Sequence, residues 1–155
     1  MGIVLAAVAA TVLAIVLWPR GGAPGGKLRN HRGELVDLST LWSDRRVVVM
    51  FYAGFDRSSG QLRELNARLP EFDATVIAIS SGSSSRAARL HEQLELRFDL
   101  YSDSTLTVIP TWGVPFVIAD VTSDAVFIVE PGCKVSYKHI GEHPSLGMLA
   151  ARTRH

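Results

Sequence analysis

Val47-Val48-Val49-Met50-Phe51-Tyr52-Ala53-Gly54-Phe55-Asp56-Arg57-Ser58-Ser59-Gly60-Gln61-Leu62-Arg63-Glu64-Leu65 is the stretch on which the fold turns. Val47 to Tyr52 is a continuous run of β-branched, apolar and aromatic side chains, the pattern of a strand covered on both faces. From Ser58 onward Leu62, Leu65 and Leu69 recur at helical spacing until Pro70 ends the pattern. A buried strand therefore breaks into a short loop, Ala53 to Arg57, and restarts as a helix near Ser58. Such a helix start gathers unpaired backbone N–H groups and the positive end of the helix dipole, which together stabilise an anion such as a thiolate. No thiol is present there. Ser58-Ser59-Gly60-Gln61 reads as a capping box, with Ser58 bonding the N3 amide and Gln61 reaching back. Ser58 as a nucleophile would need an activating His or Lys, and none is near it in sequence.

With 155 residues and 47% hydrophobic content, the chain has room for one sizeable core and not for two. Sixteen basic residues against 15 acidic ones leave a net charge of +1, so no long-range field attracts nucleic acid. The single cysteine, Cys133, excludes an intramolecular disulfide framework and a Cys-based zinc cluster. Of five histidines only His139 and His143 approach a ligand-like spacing; Gly141 between them and Pro144 after them argue for loop or sheet-edge positions over a shared metal site. No cofactor is expected.

Ile3 to Trp18 is an uninterrupted apolar segment without an amphipathic stripe, borderline in length for crossing a bilayer. Nothing basic precedes it and no small-residue cleavage site follows, so an uncleaved anchor over 1–18 fits better than a signal peptide or a buried core helix. Pro19 to Lys27 reads as a flexible Gly/Pro linker, and the folded domain is expected over 28–155. Arg20, Lys27, Arg29 and Arg32 all follow the segment, and the positive-inside rule would leave the domain cytoplasmic.

Asn30-His31-Arg32-Gly33 reads as a turn, with Leu35 to Leu38 returning as a strand and Ser39 to Trp42 as a short helical turn. Thr75 to Ser80 is a second buried strand, and the Ser81-Gly82-Ser83-Ser84-Ser85 loop opens a helix marked by Ala87, Leu90 and Leu94. That loop could cradle phosphate through its amides, although its spacing matches no phosphate-binding fingerprint and helix capping is the simpler role. Pro110 and Pro115 interrupt any helix between Thr105 and Phe116; Phe116 to Val121 reads as an inserted strand or an extension. Ala125 to Gly141 reads as an antiparallel hairpin turning at Pro131-Gly132-Cys133, and Pro144 to Arg152 as a closing helix.

Phe51-Tyr52, a short loop and Glu64-Leu65 resemble the segment F-Y-P-x-x-x-T-x-x-C-x-x-E-L of peroxiredoxins of the alkyl hydroperoxide reductase and thiol-specific antioxidant family. Leu96-Arg97-Phe98-Asp99-Leu100-Tyr101-Ser102-Asp103 resembles that family's L-x-F-P-L-L-S-D, and Ala125 to Gly141 resembles its R-A-T-F-V-I-D-P-D-G-K-I-R-Y-x-H-V-G. The resemblance runs from about residue 28 to 146. It implies a thioredoxin-like α/β fold, a central mixed sheet flanked by helices. Gly113-Val114-Pro115 resembles the phrase before the thioredoxin cis-proline.

The resemblance supports the chemistry less well than the fold. The peroxidatic cysteine falls on Gly60 counting forward or on Gln61 counting back, the family threonine on Arg57, and a thioredoxin C-x-x-C on Arg57 and Gly60 or Ser58 and Gln61. Asp124 stands where the family places a peroxide-polarising arginine, a charge reversal that opposes a thiolate. The expectation is a degenerate, membrane-anchored domain serving thiol redox processes through a protein partner, a homodimer included. The alternative is a peroxidase or disulfide oxidoreductase using Cys133 or a partner's cysteine. Cys133 in a hairpin turn should lie at the sheet end opposite the active-site loop. Membrane-tethered relatives of this kind are commonly exported, which against the charge rule favours an extracytoplasmic domain.

Overall fold

The computed structural model describes residues 22–118 and 121–155. Residues 1–18, read as an anchor, lie outside the described residues, among which no helix is long and apolar enough to cross a membrane.

Nine strands and three helices are described: β1 (Lys27–Asn30), β2 (Leu35–Asp37), β3 (Val47–Phe51), α1 (Ser59–Arg68), β4 (Thr75–Ser80), α2 (Ser84–Leu94), β5 (Asp99–Ser102), β6 (Phe116–Ile118), β7 (Val121–Thr122), β8 (Ala125–Val129), β9 (Val135–Ile140) and α3 (Leu146–Thr153). Seven strands make a mixed sheet in the order β2-β1-β5-β4-β3-β8-β9. β3, β4 and β5 run parallel, while β8 pairs antiparallel with β3, setting Phe51 opposite Ala125 and Val47 opposite Val129. Every residue of β3 is buried, as its unbroken apolar run requires.

Alternation along β3 divides the core. Val48 and Met50 face Leu62 and Leu65 of α1, Ala87 and Leu90 of α2, and Leu149 and Ala150 of α3. Val47, Val49 and Phe51 face the other way, onto Trp42, Trp112 and Phe127. Among the described residues that second face is covered not by a long helix but by short 3-10 turns, Leu38–Trp42 and Ile109–Trp112. Pro110 opens the second turn and Gly113 closes it at φ 75°, which keeps it short. Trp112 fills the resulting space, edge-on to Trp42 at 5.8 Å and to Phe127 at 5.0 Å. Buried Asp103 pins the segment before it, accepting the amides of Thr107, Val108 and Ile109.

Two expectations need correction. Gly22 to Gly26, read as part of a flexible linker, is docked on the domain: Ala23 N–H donates to Cys133 O, Leu38 N–H to Gly26 O, and the Trp112 indole to Gly25 O. Gly26 has φ 116°, and a Cβ there would lie 2.8 Å from the Val108 methyls, so only glycine permits this close approach. Pro115 is not preceded by a cis bond, because none occurs among the described residues. The inserted strand is instead the hairpin β6–β7, which forms its own two-stranded sheet and leaves Phe116 and Val117 exposed. At the far side of the main sheet, His31 in the β1–β2 turn stacks on His91 of α2, ring centroids 3.6 Å apart and ring planes nearly parallel at 8°.

Candidate functional site

β3 delivers the chain to the rim of the sheet, where Tyr52 N–H still donates to Ile79 O of β4. Beyond it the ladder has no further strand to offer, and the Ala53 amide is taken by Asp124 Oδ1 at 2.8 Å. Phe55 is buried as a plug, and Ser58 N–H closes the turn onto the carbonyls of Gly54 and Phe55 at 3.0 and 3.2 Å. α1 then begins at Ser59.

Ser58 occupies the N-cap position but its side chain makes no capping bond, which corrects the capping-box expectation. An N-cap hydroxyl reaches the N3 amide from extended backbone, whereas Ser58 sits at φ −99°, ψ 11° because its own amide is committed to the preceding turn. Gly60 and Gln61 are the second and third residues of α1, exposed in the turn whose amides lack helical partners. The fold thus places Gly60 and Gln61, the two positions on which the resemblance sets the cysteine, in the first turn of a helix whose amides can stabilise an anion. Arg57 is exposed on the turn.

Two clefts flank this helix start. One, of about 270 Å³, lies toward α2 between Gly54, Asp56, Arg57, Ser81 and Arg86, with the Arg86 guanidinium 3.5 Å from the Asp56 carboxylate. The other, of about 220 Å³, lies toward α3 between Tyr52, Gln61, Glu64, Glu142 and His143. Burial, reinforced by the charges of Asp124 and Glu64, pushes the Tyr52 phenol far up. It is therefore a neutral hydrogen-bonding group and not a base at physiological pH.

His143 is the residue that sequence reasoning missed. Its Nε2 lies 2.9 Å from both Phe51 O and Ala125 O, the facing residues of the β3–β8 ladder, so one ring N–H donates to two carbonyls where the pairing ends. The ring meets Tyr52 edge-on at 4.7 Å. His139 lies in β9, paired with Val126 of β8, and His143 lies in the loop beyond that strand, the sheet-edge and loop positions expected of them.

Cys133 lies at the Val129 end of the β8–β9 hairpin, whereas Asp124 adjoins the Ala125 end. Five residues of strand, roughly 13 Å, separate the two ends. The thiol is half-buried in a residue of φ 91° and packs against Gly22, where a Cβ would come within 2.9 Å of Sγ. Cys133 therefore does not join the α1 start, as its turn position implied.

A strand-loop-helix site on this sheet is the arrangement of the AhpC/TSA family, whose profile matches residues 20–138. The chain belongs to that family. Among curated relatives it is similar to chloroplastic peroxiredoxin Q of Oryza sativa subsp. japonica, 28% identical, over 77% of this chain and 62% of the relative. The chain thus spans less than two thirds of that relative's length. Among solved structures it is similar to peroxidoxin BcpB from Mycobacterium tuberculosis, with a TM-score of 0.73 at 22% identity, covering 85% of this chain and 90% of that one. A mutant of Xylella fastidiosa PrxQ superposes with a TM-score of 0.73 at 18% identity, over 83% and 87% of the two chains. These likenesses give the thioredoxin-like peroxiredoxin fold.

Within that AhpC/TSA frame the helix start is flanked by groups of opposite charge. The helix start offers backbone amides, Arg57 and Arg86 to a ligand on one side. On the other, Glu64, Glu142 and the neutral Tyr52 phenol face it. Asp124, with its carboxylate on the Ala53 amide, serves as a clamp for the loop.

Proposed function

We propose that this chain is a membrane-tethered AhpC/TSA-family domain, degenerate at the peroxidatic position, that acts in thiol redox processes by binding a protein partner and not by turning over peroxide itself. One observation carries this reading: Gly60 and Gln61 hold the first turn of α1, and the carboxylate of Asp124 sits on the loop leading to it. Peroxide reduction by this family's chemistry needs a thiolate beside cationic or amide donors. The amides are retained, the sulfur is absent, and a negative group replaces the arginine.

The apolar run Ile3 to Trp18 supports a single-pass anchor, and the resemblance to tethered thioredoxin-like proteins supports an extracytoplasmic domain. The deciding experiment is reductant-dependent peroxide consumption by the full chain in detergent, beside Cys133→Ser and an intact peroxiredoxin. Activity equal to blank is expected. Turnover that disappears in Cys133→Ser would replace this reading with a peroxidase using a relocated thiol. Alkaline carbonate extraction and protease accessibility in sealed vesicles test the anchor and its orientation separately.

A further inference from the structure

A third cleft, of about 190 Å³, lies away from the α1 start on the helix-covered face of the sheet, between the amino end of α2 and the β1–β5 pair. Arg29 and Ser102 are cross-strand partners in that pair, so their side chains leave the same face of the sheet. Ser102 is 8% exposed and its Oγ has no hydrogen-bond partner. A buried hydroxyl without a partner is destabilising, and native proteins rarely leave one unfilled. Ser84, the first residue of α2, lines the same cleft and brings one of the unpaired amides at the positive end of an 11-residue helix.

Charge selects the ligand. The one carboxylate lining the cleft, Asp103, already accepts three loop amides. Lys27 faces Asp37 across the β1–β2 pair, so Arg29 is the cation left to bind. One Arg29 guanidinium nitrogen donates to Gly33 O, which steadies the side chain and leaves its remaining N–H groups for a ligand. The volume is below the roughly 300 Å³ at which pockets for drug-sized molecules begin, so the occupant is small.

We infer that this cleft binds a small tetrahedral oxyanion of the phosphate class, with Arg29 as its charge partner and Ser102 Oγ and the Ser84 amide as donors. Phosphate suits all three groups. It carries negative charge, it accepts several bonds at tetrahedral spacing, and helix amino ends are favourable places for it.

The test is titration of the full chain in detergent with inorganic phosphate at neutral pH, against sodium chloride at matched ionic strength. Heat of binding and unfolding temperature are read for the wild type, Arg29→Gln, Ser102→Ala and a distant control, Lys134→Gln. Phosphate is expected to raise the unfolding temperature above the chloride control, with affinity falling about tenfold in Arg29→Gln and unchanged in Lys134→Gln. Ser102→Ala is the discriminating variant. It should be more stable than the wild type without phosphate, having lost the orphan hydroxyl, yet bind phosphate about fivefold more weakly. A hydroxyl satisfied by water alone would leave phosphate affinity unchanged in Ser102→Ala. That result, or phosphate stabilising no more than chloride, overturns the inference.

Discussion

The Asp124 carboxylate holds the Ala53 amide at 2.8 Å, tying the end of the β6–β7 insertion to the first residue of the loop before α1. That carboxylate thus supports the loop's shape. Asp124→Ala is expected to lower stability by about 1.5–3 kcal/mol, the scale of a hydrogen bond to a charged acceptor, seen as a lower urea midpoint at unchanged slope.

Charge at that position also governs any thiol restored at the helix start. A Cβ at Gly60 meets nothing within 4 Å, so Gly60→Cys can be accommodated. With a carboxylate on the loop that leads to it, such a thiolate is disfavoured; the double variant Gly60→Cys/Asp124→Arg should react with a thiol-alkylating reagent at least about tenfold faster at neutral pH than Gly60→Cys alone. Equal rates would show that Asp124 has no electrical influence on the site.

Removal of the His143 ring strands two carbonyls at the rim of the β3–β8 pair and uncovers Tyr52. His143→Ala should cost about 2 kcal/mol of unfolding free energy, and His143→Asn, which keeps an N–H donor, should recover part of it. Chemical denaturation of the three proteins checks both expectations.

Asp103 carries more. Its carboxylate replaces ladder partners for three consecutive amides beneath the Trp112 cluster, and it is 1% exposed. Asp103→Ala should cost about 3 kcal/mol and blue- or red-shift Trp112 fluorescence as the 3-10 turn loosens. An unchanged emission spectrum would mean that the turn is held by packing alone.

The stacked imidazoles of His31 and His91 predict a pH dependence. Desolvation lowers both below their ordinary value of 6.5; His91 pushes His31 down further, opposed by Asp99. A base depressed in the folded state binds more protons when unfolded, so its stability contribution is complete above pH 6.5 and is lost as the pH falls from there through the lowered folded values. Urea midpoints measured across that window should decline for the wild type and decline less for His91→Phe, which keeps a ring without the charge.

These residues mark how far the sequence alone could be read. The apolar runs Val47–Phe51, Thr75–Ser80 and Ala125–Val129 announced the central strands because full burial leaves no other composition. Pro110 likewise announced the missing helix before β6. The His143 bridge was illegible, since its two acceptors are backbone carbonyls 92 and 18 residues away that carry no side-chain signature. The Ser58 cap misled for a related reason: the motif was present, but the Gly54 and Phe55 carbonyls claimed the Ser58 amide first and turned the hydroxyl out of reach. Gly22 to Gly26 has a linker's composition and a packed segment's contacts, because glycine permits both free chain and close backbone approach.

That last segment sets the length of a leash. Ala23 is fastened to the Cys133 turn, and the proposed anchor closes at Trp18. Pro19 to Gly21 would then bridge bilayer and domain, roughly 10 Å at full stretch. On the proposed anchoring, a domain so closely held would stand like a post, with its Cys133 end toward the lipid headgroups and the start of α1, a strand's length farther out, toward the water, where a soluble partner would reach it more readily than one embedded in the membrane.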